Sequence, residues 1–159
     1  MNTKALSFAA LTLALAAGSG EAAAQTQTVT FEVAPINEMS VTGSPSLTIN
    51  SAVAGSGPTN ATASGSWAIT THEMNRKVTA SIDEAMPAGV TLSVALAAPT
   101  GASSAGTVAL GTSAADVVTG ITTLSESGLA VTYTLQASAA AGVVPEGQRT
   151  VTYTVVAGS

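Results

Sequence analysis

The chain has 159 residues, a net charge of −5 and only 8% charged residues, against roughly 25% in ordinary globular proteins. It contains no cysteine, which removes disulfides, thiolate zinc sites and cysteine nucleophiles together. An acidic chain with four Lys and Arg residues in all repels phosphate backbones, so nucleic acid is excluded as a partner.

Met1 to Lys4 form a short positive n-region, Ala5 to Ala17 an uncharged apolar run, and Ala22-Ala23-Ala24 a small-x-small cleavage site. Residues 1–24 are therefore read as a signal peptide cut before Gln25. The run is short for a span, which needs roughly 20 apolar residues. Removing 24 residues from 159 leaves 135, enough for one domain with its own core. Lys4 and Glu21 leave together, so the charge stays at −5. The expected location of residues 25–159 is the periplasm, the cell surface or the extracellular space.

Along the mature chain apolar residues recur with period two, the mark of strands with one buried face. Val29, Phe31 and Val33 alternate with polar residues first; Met39 and Val41 follow, then Leu47 and Ile49. The Ser51–Ser66 stretch, with Gly55, Gly57, Pro58 and Gly65, reads as a flexible loop. Trp67 and Ile69 lead into a His72–Asn75 turn, and Val78, Ala80 and Ile82 return as the second arm of a hairpin. Val90, Leu92, Val94 and Leu96 alternate between turns at Pro87-Ala88-Gly89 and Pro99-Thr100-Gly101. Shorter pieces lie near Val108–Leu110 and Val117–Ile121, and long strands at Leu129–Ala137 and Thr150–Val156 finish the chain.

Nine or ten such strands joined by Gly, Pro, Ser and Asn clusters predict an all-β, antiparallel two-sheet sandwich, immunoglobulin-like or Greek key. The expected core is Trp67, Ile69, Val78, Ile82, Leu92, Val94, Leu96, Val131, Tyr133, Leu135, Val151, Tyr153 and Val155. A membrane barrel would carry aromatic girdles; the mature part has only Phe31, Trp67, Tyr133 and Tyr153. The protein is therefore not expected to be membrane-embedded.

Three stretches are similar to those of chaperone-usher fimbrial subunits: the early strand Thr28 to Val33, the middle run Arg76 to Ile82 leading into Gly89 to Leu96, and the terminal Gly147 to Val155. The resemblance covers most of the mature chain and is one of pattern more than motif. It implies an incomplete immunoglobulin-like fold whose groove takes a donor strand from a neighbouring subunit or is filled by a periplasmic chaperone. Thr28, Val29, Phe31 and Val33 would then form the assembly strand. The chain departs from many such pilins in lacking a disulfide.

Chemistry-bearing residues are sparse. His72 is the only histidine and sits in a turn, with no Gly-x-Ser-x-Gly elbow anywhere. Asp83 and Asp116 are the only aspartates, which leaves for calcium only a site assembled from distant loops. Glu32, Glu38, Glu126 and Glu146 are scattered, without the local pairing of a glycosidase. Neither an enzymatic activity nor a cofactor is expected. Trp67 reads as the centre of the core, with a ligand platform as the alternative. Two functions remain: a structural subunit that assembles with copies of itself or related subunits through Thr28–Val33, and a monomeric secreted binding or adhesin module that works through its loops.

Overall fold

The computed structural model describes residues 24–159, so the proposed leader lies outside the described residues except for Ala24. The chain divides into two units, residues 1–32 and residues 33–159. The described part of the first, residues 24–32, is exposed and contains no helix or strand.

The second unit is almost entirely β. Its strands are β1 (Asn37–Thr42), β2 (Ala61–Thr71), β3 (Arg76–Ile82), β4 (Val90–Leu96), β5 (Ser103–Ser104), β6 (Val108–Ala109), β7 (Ala115–Ile121), β8 (Leu124–Ala137) and β9 (Val151–Ala157). A single 3-10 turn, Ala139–Ala141, follows β8. The strands form a five-stranded sheet in the order β1-β2-β8-β4-β6 and a four-stranded sheet in the order β5-β7-β3-β9. Every pairing is antiparallel. Among the described residues no helix is long and apolar enough to cross a membrane.

Alternation sets which side chains meet. On β2, Trp67, Ile69 and Thr71 point inward and are buried, while Thr62 and Ser64 stay exposed. Trp67, Ile69, Leu92, Val94, Leu96, Val131 and Tyr133 of the first sheet join Val78, Ala80, Ile82, Val117, Val118 and Ile121 of the second in one hydrophobic cluster. Two antiparallel sheets sharing one core are compatible with a β-sandwich. Leu135, Val151, Tyr153 and Val155 pack against that cluster but are only half-buried.

Three sequence expectations need correction. The His72–Asn75 turn does not close a hairpin: β2 lies in one sheet and β3 in the other. Alternation marks the buried face of each strand, and that face looks the same whether consecutive strands pair side by side or face each other across a core. The Ser51–Ser66 loop ends early, because Ala61–Ser66 already belong to β2. Its inward positions are Ala61, Ala63 and Gly65, too small to register as an apolar alternation. Finally, neither Val29–Val33 nor Leu47–Ile49 lies in a ladder, although Leu47 and Ile49 are half-buried.

A glycine accounts for one irregularity in the first sheet. Between Trp67 and Ile69 the β2–β8 register skips from Leu129 to Glu126, placing an extra β8 residue opposite β2. Gly128 takes φ 72° there, a backbone that only glycine adopts cheaply. The bulge reverses the facing of β8, so that Leu129, Val131 and Tyr133 point into the core.

Candidate functional site

The register gives the molecule two ends. Asn37, Thr71 and Leu124 share a row at one end of the five-stranded sheet, and Val90 and Ala137 pair at the other. In the second sheet Arg76 and Ala157 lie toward the Asn37 end, and Ile82 and Val151 toward the Val90 end.

At the Asn37 end a polar knot fixes the start of β1. The Asn37 amide donates to Glu73, the Thr71 hydroxyl donates to Asn37 Oδ1 at 2.7 Å, and the Glu73 backbone N–H donates to Thr71 Oγ1 at 3.1 Å. Arg76 pairs with Glu73. The Asn37 amide and the Arg76 guanidinium together hold the Glu73 carboxyl below its ordinary value. His72 is exposed in this turn, and its backbone N–H donates to the Ile36 carbonyl at 3.1 Å. Among the described residues no three His, Cys, Asp or Glu side chains are grouped to hold a metal ion.

The Val90 end is open. β1 stops at Thr42, opposite Ser66, so Ala61–Gly65 lack a ladder partner on that side. The chain turns away at Gly43, whose φ of 117° places it in glycine-favoured territory. Gly65 leaves room for the crossing: a Cβ on it would lie 2.4 Å from the Thr42 carbonyl oxygen. Beyond this point a groove of about 1280 Å³ opens between the sheets. Leu92, Tyr133 and Leu135 of the first sheet and Val151 and Tyr153 of the second line it, rimmed by residues 43–52, Gly142 and residues 144–150. This opening is why Leu135, Val151 and Tyr153 remain half-buried.

Inside the groove the Tyr153 hydroxyl donates to the Tyr133 hydroxyl at 2.9 Å, tying β9 to β8. Burial, followed by the Tyr133 contact, pushes the Tyr153 phenol far above its ordinary value, so it stays neutral. At the groove mouth the Thr150 backbone N–H donates to Asp83 Oδ1 at 3.0 Å, and Arg149 Nη2 donates to the Ala85 carbonyl at 3.0 Å. The Thr150 N–H, followed by that of Glu84, holds the Asp83 carboxyl below its ordinary 3.8. A depressed folded value means that the Asp83 charge stabilises the fold above the unfolded value and that this contribution disappears as pH falls through the folded one. Asp83→Asn is therefore expected to lower the urea midpoint at neutral pH, with the difference from wild type vanishing in strong acid. A pH-independent difference between the two proteins would refute the assignment.

β9 is the last strand of its sheet, so one row of its backbone donors and acceptors has no ladder partner. Proteins usually blunt such edges with charge, proline, a bulge or brevity. β5 and β6, the outer strands at the far margins, have two residues each. β9 has seven, Val-Thr-Tyr-Thr-Val-Val-Ala, and none of the usual guards. Of the assembly strand inferred from the sequence, Thr28, Val29, Phe31 and Val33 lie outside both sheets, with Val29, Phe31 and Val33 at 74%, 88% and 73% exposure. Trp67 is 1% exposed, which leaves no indole face open to a ligand, and its Nε1 donates to the Ala97 carbonyl at 3.2 Å. Sequence reading missed the small-residue side of β2 and the crossing at Gly43; the period-two Ala61, Ala63, Gly65 was their only signal.

No protein-family model, curated protein or solved structure matches the chain.

Proposed function

We propose that the protein is an exported structural subunit of a surface filament or matrix, of the fimbrial kind. Its immunoglobulin-like sandwich is completed when the Thr28–Val33 strand of another copy enters the groove. The observation that carries this reading is the pairing of two deficits in one chain: an unguarded seven-residue edge beside a half-open core, and an exposed alternating apolar segment with no ladder. Strand addition answers both. Backbone hydrogen bonds along β9 supply affinity, and alternate side chains supply specificity. Burying Val29, Phe31 and Val33 is worth about 1.5–3 kcal/mol each, set against an association cost of roughly 4–15 kcal/mol.

The layout also favours an open-ended chain. The arm joins its body at the Asn37 end and the groove lies toward the Val90 end, so donor and acceptor surfaces differ. Such a heterologous contact propagates as a filament when its rotation does not close. Residues 25–159, purified from the periplasm, are expected to give mass ladders by size exclusion with light scattering. Deleting Thr26–Val33 should abolish them, and Phe31→Asp should weaken them severely. A stable monodisperse monomer with the arm present would overturn the reading in favour of a secreted binding module.

A further inference from the structure

If the arm seats on β9, its root dictates what else must touch; the inference rests on the assembly reading above. β9 runs from Val151 at the Val90 end to Ala157 at the Asn37 end. All pairings in this fold are antiparallel, and parallel ladders are slightly weaker per residue. A donor arm antiparallel to β9 therefore leaves the acceptor with Val33 at the Val90 end. Only Ala34, Pro35 and Ile36 separate Val33 from β1. At 3.3–3.6 Å per residue, the four steps from Val33 to Asn37 reach at most roughly 14 Å. The Asn37 end of the donor body must then lie against the Val90 end of the acceptor.

Each of these ends presents an exposed apolar side chain on a loop. The donor's Asn37 end carries the His72–Asn75 turn, with Met74 at 75% exposure. The acceptor's loop at residues 142–150 rims the groove exit through Gly142 and residues 144–150, and its Val143 points away from the groove's lining at 100% exposure. The turn is tied to β1 by the Asn37–Thr71–Glu73–Arg76 knot, and the C-terminal end of the loop is tied by Thr150 to Asp83 and by Arg149 to Ala85. We infer that a second contact accompanies the inserted strand: the Met74 turn of one copy packs on the Val143 loop of the next.

The absence of native cysteine makes the test direct. Met74→Cys and Val143→Cys, combined in one chain and treated with a short bismaleimide, are expected to give a covalent ladder on a denaturing gel. Neither single variant should give more than a dimer, and deleting Thr26–Val33 from the double variant should remove the ladder. Met74→Asp should reduce assembly mass severalfold while leaving the urea midpoint unchanged. If the double variant assembles normally by light scattering but stays uncross-linked, the second contact is refuted and strand complementation survives. If the parent chain forms no assemblies, the assembly reading fails and this contact fails with it.

Discussion

Trp67→Ala is expected to lower the stability of the fold by about 3–5 kcal/mol, the usual cost of removing a buried large aromatic. The indole is 1% exposed on β2, between Val41 of β1 and Leu129 of β8. Deleting it leaves a void and also removes the Nε1 donation to the Ala97 carbonyl at 3.2 Å. Net stabilities of single domains run to only about 5–15 kcal/mol, so the loss is a large fraction of the total. Trp67 is the only tryptophan, so unfolding must be followed by circular dichroism in urea. The midpoint should fall sharply with little change in slope, whereas Trp67→Phe should fall less. A midpoint within error of wild type would show that Trp67 does not organise the core.

The second large effect is expected from the smallest change. Gly65→Ala normally lowers unfolded-state entropy and helps wherever the backbone permits a side chain. Here the new Cβ would sit 2.4 Å from the Thr42 carbonyl oxygen and 3.3 Å from Val131 Cγ1. The nearer atom is backbone on a paired strand, so the end of β1 must shift. Overpacking of this kind costs about 1–3 kcal/mol. The damage should be local: amide exchange is expected to quicken across Ser40–Thr42 of β1, with the β3–β9 ladder protected as before. Unchanged stability would mean that the crossing at Gly43 tolerates a side chain beneath it.

Strand identity was readable wherever large β-branched or aromatic residues alternated, as in Val78–Ile82, Val90–Leu96 and Val151–Val155. The first half of β2 was not, because Ala61, Ala63 and Gly65 carry too little apolar surface to mark a face. Val117 and Val118 are consecutive yet both fully buried, since the β3–β7 register shifts beside them. Strict alternation would have sent one outward. The apolar alternation of Val29, Phe31 and Val33 was visible, but the groove was not. A groove is a property of residues from β4, β8, β9 and two loops that are distant in sequence.

Local pattern was enough for an all-β chain, its main strands and the large residues that face inward, because side-chain alternation is a local consequence of backbone geometry. The placement of β2 and β3 in different sheets, the unguarded edge at β9 and the opening of the core at the Val90 end emerged with the assembled fold. Those features depend on which strands become neighbours and where β1 stops. Neighbourhood is set by burial summed over the whole chain, and no local window of residues contains that sum.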